Sequence, residues 1–537
     1  MLTLHPKIKI IFSVYLLIAS ICESVAVKGK RLIMNFEMIT FVLYFVALMG
    51  VALYFYKKDH QGSQETFFLG GRQMGPWVTA LSAQASDMSA WLLMGLPGSI
   101  LAFGFGQIWI GIGLAMGTAA NWILCARRLR VFSEKADDSI TIPQFLANRF
   151  DADTKTLQVI CACIFLFAYT IYVASAFVAG TTVFATLFPN ISTTVAMIIF
   201  ALLIVFYTLF GGFTAVCWTD FFQGMLMMIA LMAVPIVVIL SKQELDTSLL
   251  AQVYEYTDAN GSIVSCDFGG GLFSVSINEI LTGLAWGLGY FGMPHIIIRF
   301  MSIEKPKDIK KASTIAIVWV IISLGCACLI AYMGRMIVAQ ELLPGGMQKI
   351  VFITMARKFF PSAISGLLLA AIIAASVSTA DSQLLVASSS FTADLYTNFK
   401  KNVSEKEAVL VGRIVVVVIA AIAYLIASSK GAGAQAIMNL VENAWGAFGA
   451  SFGPVIILSL FWREFNYKGA VAGIVAGFAV DLIWLFGGLS ASTGIYELLP
   501  GFIAGGLVAF AVAKLTPTLE KEVAVYDKAR AADAAAE

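Results

Sequence analysis

Long apolar stretches alternate with short polar segments along most of the chain, from about residue 38 to about residue 515. A helix that crosses about 30 Å of hydrocarbon needs about 20 mainly apolar residues. By this measure the pattern predicts an all-α fold with about thirteen membrane-spanning helices. The expected spans are 38–56, 73–101, 106–126, 155–188, 193–217, 220–240, 272–297, 312–337, 361–395, 408–428, 434–461, 469–488 and 496–515.

The composition agrees with a polytopic membrane protein. Of the 537 residues, 59% are hydrophobic and 13% are charged, and the net charge is +2. This balance lies far from that of an ordinary globular domain, and it lacks the basic excess of a nucleic-acid-binding protein. The eight cysteines and three histidines show no spacing typical of disulfides or metal ligands. We therefore expect no enzyme, no resident cofactor and no obligatory protein partner.

Charged loops predict the orientation of the chain. With thirteen spans, the basic clusters all fall on one side of the membrane, and the acidic loop 241–270 falls on the other. These clusters are 57–58, 127–130, 299–311, 400–401 and 463–468. The positive-inside rule then places the start of the first core helix outside and the tail, 516–537, in the cytoplasm. We expect that tail to be a solvated helix or a disordered end.

The N-terminal extension, 1–37, does not fit this scheme. It has an apolar stretch at 10–21 and a basic segment at 28–31. A retained helix would leave that basic segment outside, against the positive-inside rule. Two explanations stay open: a cleaved signal peptide with a Ser-x-Ala site, or an upstream start codon with Met34 or Met38 as the true first residue.

Two of the expected spans contain helix breakers at mid-depth. Residues 85–90 in the second span are small and polar, and residues 286–294 in the seventh contain three glycines and a proline. Broken helices leave backbone groups unpaired, which a membrane tolerates only beside a cavity, a ligand or other protein. The breaks lie five spans apart, which indicates an inverted repeat of spans two to six against seven to eleven. Both broken helices would then line one central site.

The first break carries a carboxylate, Asp87, among hydroxyl residues. An aspartate at the centre of a membrane helix costs roughly 2.5–3.5 kcal/mol unless it faces water, protein or an ion. Ser82, Ser86 and Ser89 are spaced to lie on one face of an unbroken helix. The segment therefore favours an interaction with a cation.

A second set of hydroxyls lies in the ninth span. Ala375, Ser378, Thr379 and Ser382 have the spacing of one helical face. Hydroxyl and carbonyl oxygens are hard ligands suited to hard cations, so this face opposite a broken helix could enclose sodium. The alternative is that the hydroxyls bond back to their own helix. Asp381, beside them, either orients this face or pairs within the bundle.

Several of these segments resemble the sodium/solute symporter family, over nearly everything from residue 38 to the last span. The matching strings are 69–72, 79–98, 218–220, 286–295, 378–379 and 444–450. The resemblance implies a LeuT-like five-plus-five inverted repeat with broken helices. It also implies sodium-coupled import of a small solute by alternating access across the bacterial cytoplasmic (inner) membrane. Sodium would be the coupling ion, and the string 286–294 is most similar to that of members that carry L-proline.

The resemblance also assigns roles to single residues. Sodium would be bound by the carbonyls of Ala85, Met88 and Ala375 and the side chains of Ser378 and Thr379. Asp87, Ser86 and Ser89 match positions tied to sodium affinity. The substrate positions would be Ser82, Tyr172, Trp286, Tyr290 and Pro294, and the coupling or gating positions Arg72 and Asp220. Ala90 stands where the family usually has glycine, which puts the ion affinity in question.

Two alternatives remain. The first is a sodium symporter of the same family for another small solute, such as pantothenate, a sugar or a short carboxylate. The second is a transporter-like sensor that passes a substrate signal to a kinase. Relatives of that kind carry long cytoplasmic signalling domains, which the tail 516–537 does not offer.

Overall fold

The computed structural model describes residues 36–58, 64–258, 261–400, 402–430 and 434–535. The explanations offered for the N-terminal extension fall outside this part of the chain, apart from its last two residues. The described residues are mostly helical, as the hydrophobic pattern predicts.

The helices follow one another along the chain. They are α1 (Phe36–Lys58), α2 (Gln64–Leu69), α3 (Pro76–Met88), α4 (Leu96–Phe103), α5 (Ile108–Ala120), α6 (Ala126–Lys135), α7 (Ile142–Arg149), α8 (Thr156–Leu187), α9 (Thr193–Leu240), α10 (Ile277–Ala285), α11 (Pro294–Ser302), α12 (Ile309–Leu342), α13 (Val351–Phe359), α14 (Ser362–Ser389), α15 (Thr397–Phe399), α16 (Glu405–Lys430), α17 (Ala434–Phe461), α18 (Tyr467–Phe486), α19 (Leu489–Thr493), α20 (Leu498–Leu515) and α21 (Glu520–Ala535).

Short 3-10 or π-helical segments and one hairpin complete the described elements. The short helical segments are Gly70–Arg72, Trp91–Gly95, Phe105–Gln107, Asn121–Cys125, Thr247–Leu250, Trp286–Phe291, Pro306–Asp308, Leu343–Gly345, Gln348–Ile350 and Ser390–Tyr396. The strands β1 (Tyr254–Thr257) and β2 (Ile263–Cys266) pair antiparallel in the loop between α9 and α10.

Nine stretches of the described chain are long and apolar enough to cross a membrane. They are Phe105–Lys135, Thr156–Leu187, Gly212–Leu240, Pro306–Gly345, Ser362–Phe399, Glu405–Ser429, Asn439–Phe461, Tyr467–Phe486 and Leu498–Leu515. A bent pair, Ile277–Phe291 with Pro294–Ser302, would make a tenth. Shorter apolar helices occupy Phe36–Val51, Trp91–Phe103 and Thr193–Leu209. The fold is that of an all-α polytopic membrane protein, and the number of thirteen spans stays a prediction.

The break in the second predicted span lies at Ser89. Helix α3 ends at Met88, and Ser89 has φ 47° and ψ −173°, a conformation that few non-glycine residues adopt. Its hydroxyl accepts a hydrogen bond from the backbone N–H of Trp91 at 3.1 Å, where the chain becomes helical again. The small polar run in the sequence therefore corresponds to an interrupted helix.

The break in the seventh predicted span lies between α10 and α11, whose axes differ by 42°. Pro294 opens α11, a position that suits proline because the first helical N–H has no partner within the helix. The glycines before it allow close packing on α17. A Cβ on Gly289 would lie 1.9 Å from the Trp445 ring nitrogen, and one on Gly292 would lie 2.5 Å from the Phe448 carbonyl.

The fifth and sixth predicted spans meet at a kink inside α9. Helix α9 runs from Thr193 to Leu240 and bends at Gly212, which has φ 63° and ψ 173°. The apolar pattern predicts this boundary near residue 218, inside the second half of α9. A glycine supplies the bend because it alone adopts such a φ at little cost.

Helix α14 lies at the centre of the bundle. Every residue from 368 to 389 is buried, and the helix packs against α1, α3, α8 and α9. Its hydroxyl face is therefore enclosed by other helices. This arrangement places the candidate sodium ligands of α14 beside the break at the end of α3.

The C-terminal helix α21 is docked on α6. Asp533 is fully buried and forms ion pairs with Arg127 at 3.1 Å and Arg530 at 2.7 Å. The Tyr526 and Phe132 rings pack edge to face, 5.3 Å apart. This part of the tail differs from the expected solvated helix or disordered end, because one of its faces is buried.

Candidate cation and substrate site

Two hydroxyls of α14 meet the last turn of α3. Ser378 Oγ donates a hydrogen bond to the Ala85 carbonyl at 2.8 Å, and Thr379 Oγ1 approaches the same carbonyl at 3.4 Å. Both hydroxyls also contact the Ala375 carbonyl, at 3.2 and 3.0 Å. The bonds to Ala375 match the alternative in which the hydroxyls bond back to their own helix, and sodium binding by these oxygens stays a prediction. Four of the five oxygens expected to bind sodium converge here.

The fifth expected ligand, Met88, is the last residue of α3 and is buried. Carbonyls in the last turn of a helix have no partner within the helix, and the helix dipole makes this end negative. The end of α3 therefore suits a cation without any carboxylate contact.

Asp87 lies at the same break but makes a different contact. Its side chain is 4% exposed, and Oδ2 accepts a hydrogen bond from the Tyr290 hydroxyl at 2.6 Å. Tyr290 belongs to the 3-10 segment of the other broken helix. Asp87 therefore connects the two broken helices.

The neighbouring serines bond to the local backbone. Ser86 Oγ donates to the Ala83 carbonyl at 3.1 Å, and Ser89 Oγ accepts from Trp91 as described above. Both side chains are buried within a few residues of the oxygen cluster. Their tie to sodium affinity stays a prediction.

An aromatic cavity lies next to Asp87. Its lining comprises Asp87, Met88, Ser89, Trp91, Leu114, Tyr172, Trp286, Tyr290, Val441 and Trp445. Three of the five expected substrate residues, Tyr172, Trp286 and Tyr290, are among them. Ser82 and Pro294, both within the described residues, lie outside this lining.

The cavity wall is a stack of rings. The Trp286 ring lies 5.8 Å from that of Trp91 and 5.2 Å from that of Tyr496, with interplanar angles of 24° and 27°. Trp445 Nε1 donates to the Trp286 carbonyl at 2.9 Å. Trp91 and Trp445 were not predicted as site residues, although both belong to strings that carry the family resemblance. The stack gives the cavity flat, apolar and well-fixed walls.

A buried ion pair lies next to Ser82. Arg299, 1% exposed, pairs with Asp220 at 3.2 Å and donates to Ser382 Oγ at 2.5 Å. Ser82 Oγ donates to Asp220 at 2.7 Å and accepts from Arg299 Nε at 3.2 Å. In the sequence, Arg299 begins the basic cluster 299–311. A buried carboxylate in an apolar span needs a partner, so Asp220 in the sequence indicates that a positively charged side chain lies close to it.

Arg72 contacts the half-helix α11. It donates to Asp138 at 2.8 Å and to the Met301 carbonyl of α11 at 2.7 Å. Arg299 also belongs to α11. Both expected coupling residues, Arg72 and Asp220, therefore hold α11, the second half of a broken helix.

Comparisons with known proteins place this geometry in a family. The model of the sodium:solute symporter family matches residues 67–477. The chain is 40% identical over 487 residues to "Sodium/proline symporter 2" of Staphylococcus saprophyticus, covering 89% of this chain and 92% of that protein. It is 40% identical over 475 residues to "Osmoregulated proline transporter OpuE" of Bacillus subtilis, covering 88% and 94%.

Solved structures of two transporters share the fold. A Na⁺-coupled sialic acid symporter in a substrate-bound outward-open state superposes with a TM-score of 0.69 at 20% identity, covering 90% of this chain and 99% of that chain. Mhp1, a nucleobase-cation-symport-1 family transporter with bromovinylhydantoin bound, gives 0.50 at 14% identity, covering 86% and 98%. These are LeuT-fold transporters, as the paired breaks and the resemblance predict. The chain belongs to the sodium:solute symporter family.

Proposed function

We propose that this protein imports L-proline together with sodium across the bacterial cytoplasmic membrane, by alternating access. One observation carries the proposal: the hydroxyls of Ser378 and Thr379 meet the Ala85 carbonyl at a helix break, beside an aromatic cavity. The Asp87–Tyr290 hydrogen bond joins these two parts. The names of the relatives in S. saprophyticus and B. subtilis favour proline.

Sodium would be bound at the end of α3. The Ala85, Met88 and Ala375 carbonyls and the Ser378 and Thr379 hydroxyls are the hard oxygen ligands that such an ion prefers. The hydroxyl protons that now point at carbonyls would turn away, so that the oxygens face the ion. Asp87 adds a negative charge close by without being one of the five ligands.

Proline would occupy the aromatic cavity. It is a zwitterion with a small apolar ring, so its site needs flat apolar walls and polar groups for both charges. Trp286, Tyr290 and Tyr172 supply such walls, and the oxygens at the α3 break suit the ammonium group. The N-terminal end of α11, which begins at Pro294, has the dipole sign that favours a carboxylate.

Coupling would follow from differential affinity. Sodium at the end of α3 fixes the break, and the Asp87–Tyr290 bond transmits that geometry to the cavity wall, so sodium and proline bind together. Arg72 and the Arg299–Asp220 pair hold α11 and would control its movement between states. One positive charge moving through 100 mV contributes about 2.3 kcal/mol, or roughly a fifty-fold solute gradient.

The test is uptake of labelled L-proline by the purified protein in liposomes. We expect accumulation with an inward sodium gradient, little with choline in its place, and faster uptake with the interior negative. Activity of the purified chain alone would also show that no protein partner is required. Uptake that is indifferent to sodium contradicts the proposal, as does transport of pantothenate, a sugar or a short carboxylate but not proline.

A further inference from the structure

Three carboxyl side chains gather behind the aromatic wall of the cavity: Glu442 on α17, Asp481 on α18 and Glu497 just before α20. We call them the acidic cluster. Asp481 is fully buried and Glu497 is 2% exposed. A Cβ on Gly446 would lie 2.8 Å from Asp481 Oδ1 and 3.3 Å from Glu497 Cγ. Two of the three side chains therefore converge on one point, which the glycine leaves free.

The acidic cluster has few polar partners. Neither Asp481 oxygen nor Glu497 Oε1 has a hydrogen-bond partner among the described residues. Glu497 Oε2 accepts from the Ser490 hydroxyl on α19 at 2.8 Å, and the Tyr496 hydroxyl donates at 2.6 Å to the backbone carbonyl of Glu442.

Within the described residues, no positively charged partner offsets the three carboxyls. None of them forms a salt bridge within the described part of the chain. Asp481 on α18 and Glu442 on α17 each face Glu497, and Tyr496 faces all three carboxyls. Burying several carboxylates without a positive partner is strongly unfavourable, so the cluster must take up positive charge.

The acidic cluster is connected to the cavity by one ring. Tyr496 lies between them: its hydroxyl oxygen is 3.5 Å from the Cβ position of Gly446, and its ring stacks on Trp286, 5.2 Å away. Trp286 lines the cavity, and Trp445, the neighbour of Gly446 in sequence, lines it as well. A displacement of Tyr496 would therefore disturb the cavity wall directly.

We propose that the acidic cluster is a proton-binding site, separate from the sodium site, and that its protonation holds the aromatic wall of the cavity in place. Neighbouring carboxyls share protons because two adjacent negative charges repel each other. Among the described residues, no group of three or more His, Cys, Asp or Glu side chains, these carboxyls included, is arranged to hold a metal ion. Burial also raises the pKa of Glu497.

The direction in which pH changes the affinity for the substrate follows from this charge balance. At lower pH the cluster is neutral, and Tyr496 stays on Trp286. As the pH rises, proton loss leaves adjacent negative charges at Asp481 and Glu497, which push the Tyr496 segment away from the wall. Affinity for the substrate is then lost with rising pH.

The test rests on the proposed function, since proline is the probe. Uptake of labelled proline is measured in liposomes at saturating sodium, from about pH 6 to about pH 9, a range that covers strongly raised carboxyl pKa values. We expect the KM of the wild type for proline to rise about tenfold over this range. Asp481→Asn, which stays neutral, keeps the low KM at both ends. The control is Glu255→Gln, an exposed carboxyl in the β1–β2 hairpin, which retains the wild-type pH dependence.

The outcomes separate the two proposals. Absence of sodium-dependent proline uptake at every pH contradicts the proposed function. Uptake with a KM that does not change with pH in the wild type overturns the proton site, as does an unchanged pH dependence in Asp481→Asn. If Asp481→Asn does not fold, Glu442→Gln and Glu497→Gln decide in its place. If lithium or additional sodium restores the low KM at about pH 9, the cluster binds an alkali cation and the proton assignment is wrong.

Discussion

The hydroxyl of Tyr290 donates a hydrogen bond to Asp87 Oδ2 at 2.6 Å, across 203 positions of sequence. Each residue comes from a different broken helix. The Ala85 carbonyl, two residues before Asp87, accepts a hydrogen bond from the Ser378 hydroxyl, and Tyr290 lines the aromatic cavity. This bond therefore links the candidate sodium site to the candidate proline site.

Tyr290→Phe removes the donor of this bond and keeps the ring. A hydrogen bond to a charged group contributes about 1.5–3 kcal/mol, so we expect the sodium concentration for half-maximal uptake to rise about tenfold. Initial rates of proline uptake at a series of sodium concentrations measure this value. The sequence alone favours an effect of Tyr290 on proline only, and the bond to Asp87 adds the effect on sodium.

The matched control for this variant is Tyr172→Phe. Tyr172 lines the same cavity, but its hydroxyl forms none of the hydrogen bonds described above for the α3 break. We therefore expect Tyr172→Phe to keep the sodium dependence of the wild type. Equal sodium dependence in Tyr290→Phe and the wild type would show that the bond to Asp87 has no part in coupling.

Ser378→Ala removes an oxygen from the proposed ion site. We expect the sodium concentration for half-maximal uptake to rise about tenfold or more, because one of five ligands is lost. The control is Ser376→Ala on the same helix, whose hydroxyl bonds to the Ile372 carbonyl at 3.0 Å. For that variant, we expect the sodium concentration for half-maximal uptake to stay within about twofold of the wild-type value. A similar shift in both variants would indicate a general disturbance of α14 rather than loss of a ligand.

Asp220→Asn leaves the buried guanidinium of Arg299 without its carboxylate. Breaking such a pair costs about 3–5 kcal/mol of stability, and it loosens the hold on α11. We expect a lower unfolding temperature and a lower maximal uptake rate, with the sodium dependence nearly unchanged. Thermal unfolding in detergent and uptake kinetics provide both readouts.

Ser382→Ala is the milder comparison for that variant. It removes one hydrogen bond from the charged Arg299 but keeps the ion pair, at a cost of about 1.5–3 kcal/mol. The assignment of Asp220 to coupling fails if Asp220→Asn changes the sodium dependence but not the maximal rate.

Docking of the C-terminal helix predicts that two of its aspartates contribute differently to the free energy of unfolding. Asp533 is buried in its ion pairs, whereas Asp527 pairs with Arg463 at 2.6 Å with about half of each side chain exposed. Asp533→Ala should lower the free energy of unfolding by about 3 kcal/mol, because it strands a partly buried arginine. Asp527→Ala should change it little, because water screens an exposed pair. Equal unfolding temperatures of the two variants would argue against docking of α21.

The two breaks could be predicted from the sequence because a break is encoded locally. A run of small polar residues precedes Ser89, and three glycines precede Pro294. The hydroxyl face of Ser378 and Thr379 was likewise visible in residue spacing. Its contact with Ala85, 293 positions away, was available only through the family resemblance, because a helical pattern shows a face but not its partner.

Other parts of the site depend on distant partners. The sequence cannot distinguish a loop arginine from Arg299, which is buried against an acid 79 positions away. Ser82, expected at the substrate, lies in that ion-pair network, and its contact with substrate stays a prediction. The docking of α21 likewise depends on Arg127, far from Asp533 in sequence.

The central claim is that sodium at the α3 break creates the proline site. Its most direct test is equilibrium binding of labelled L-proline to the purified protein over a range of sodium concentrations at constant ionic strength. We predict that the Kd for proline falls as sodium rises, and that proline tightens sodium binding by the same factor, since coupling is reciprocal. A Kd for proline that is the same in sodium and in choline would contradict the claim.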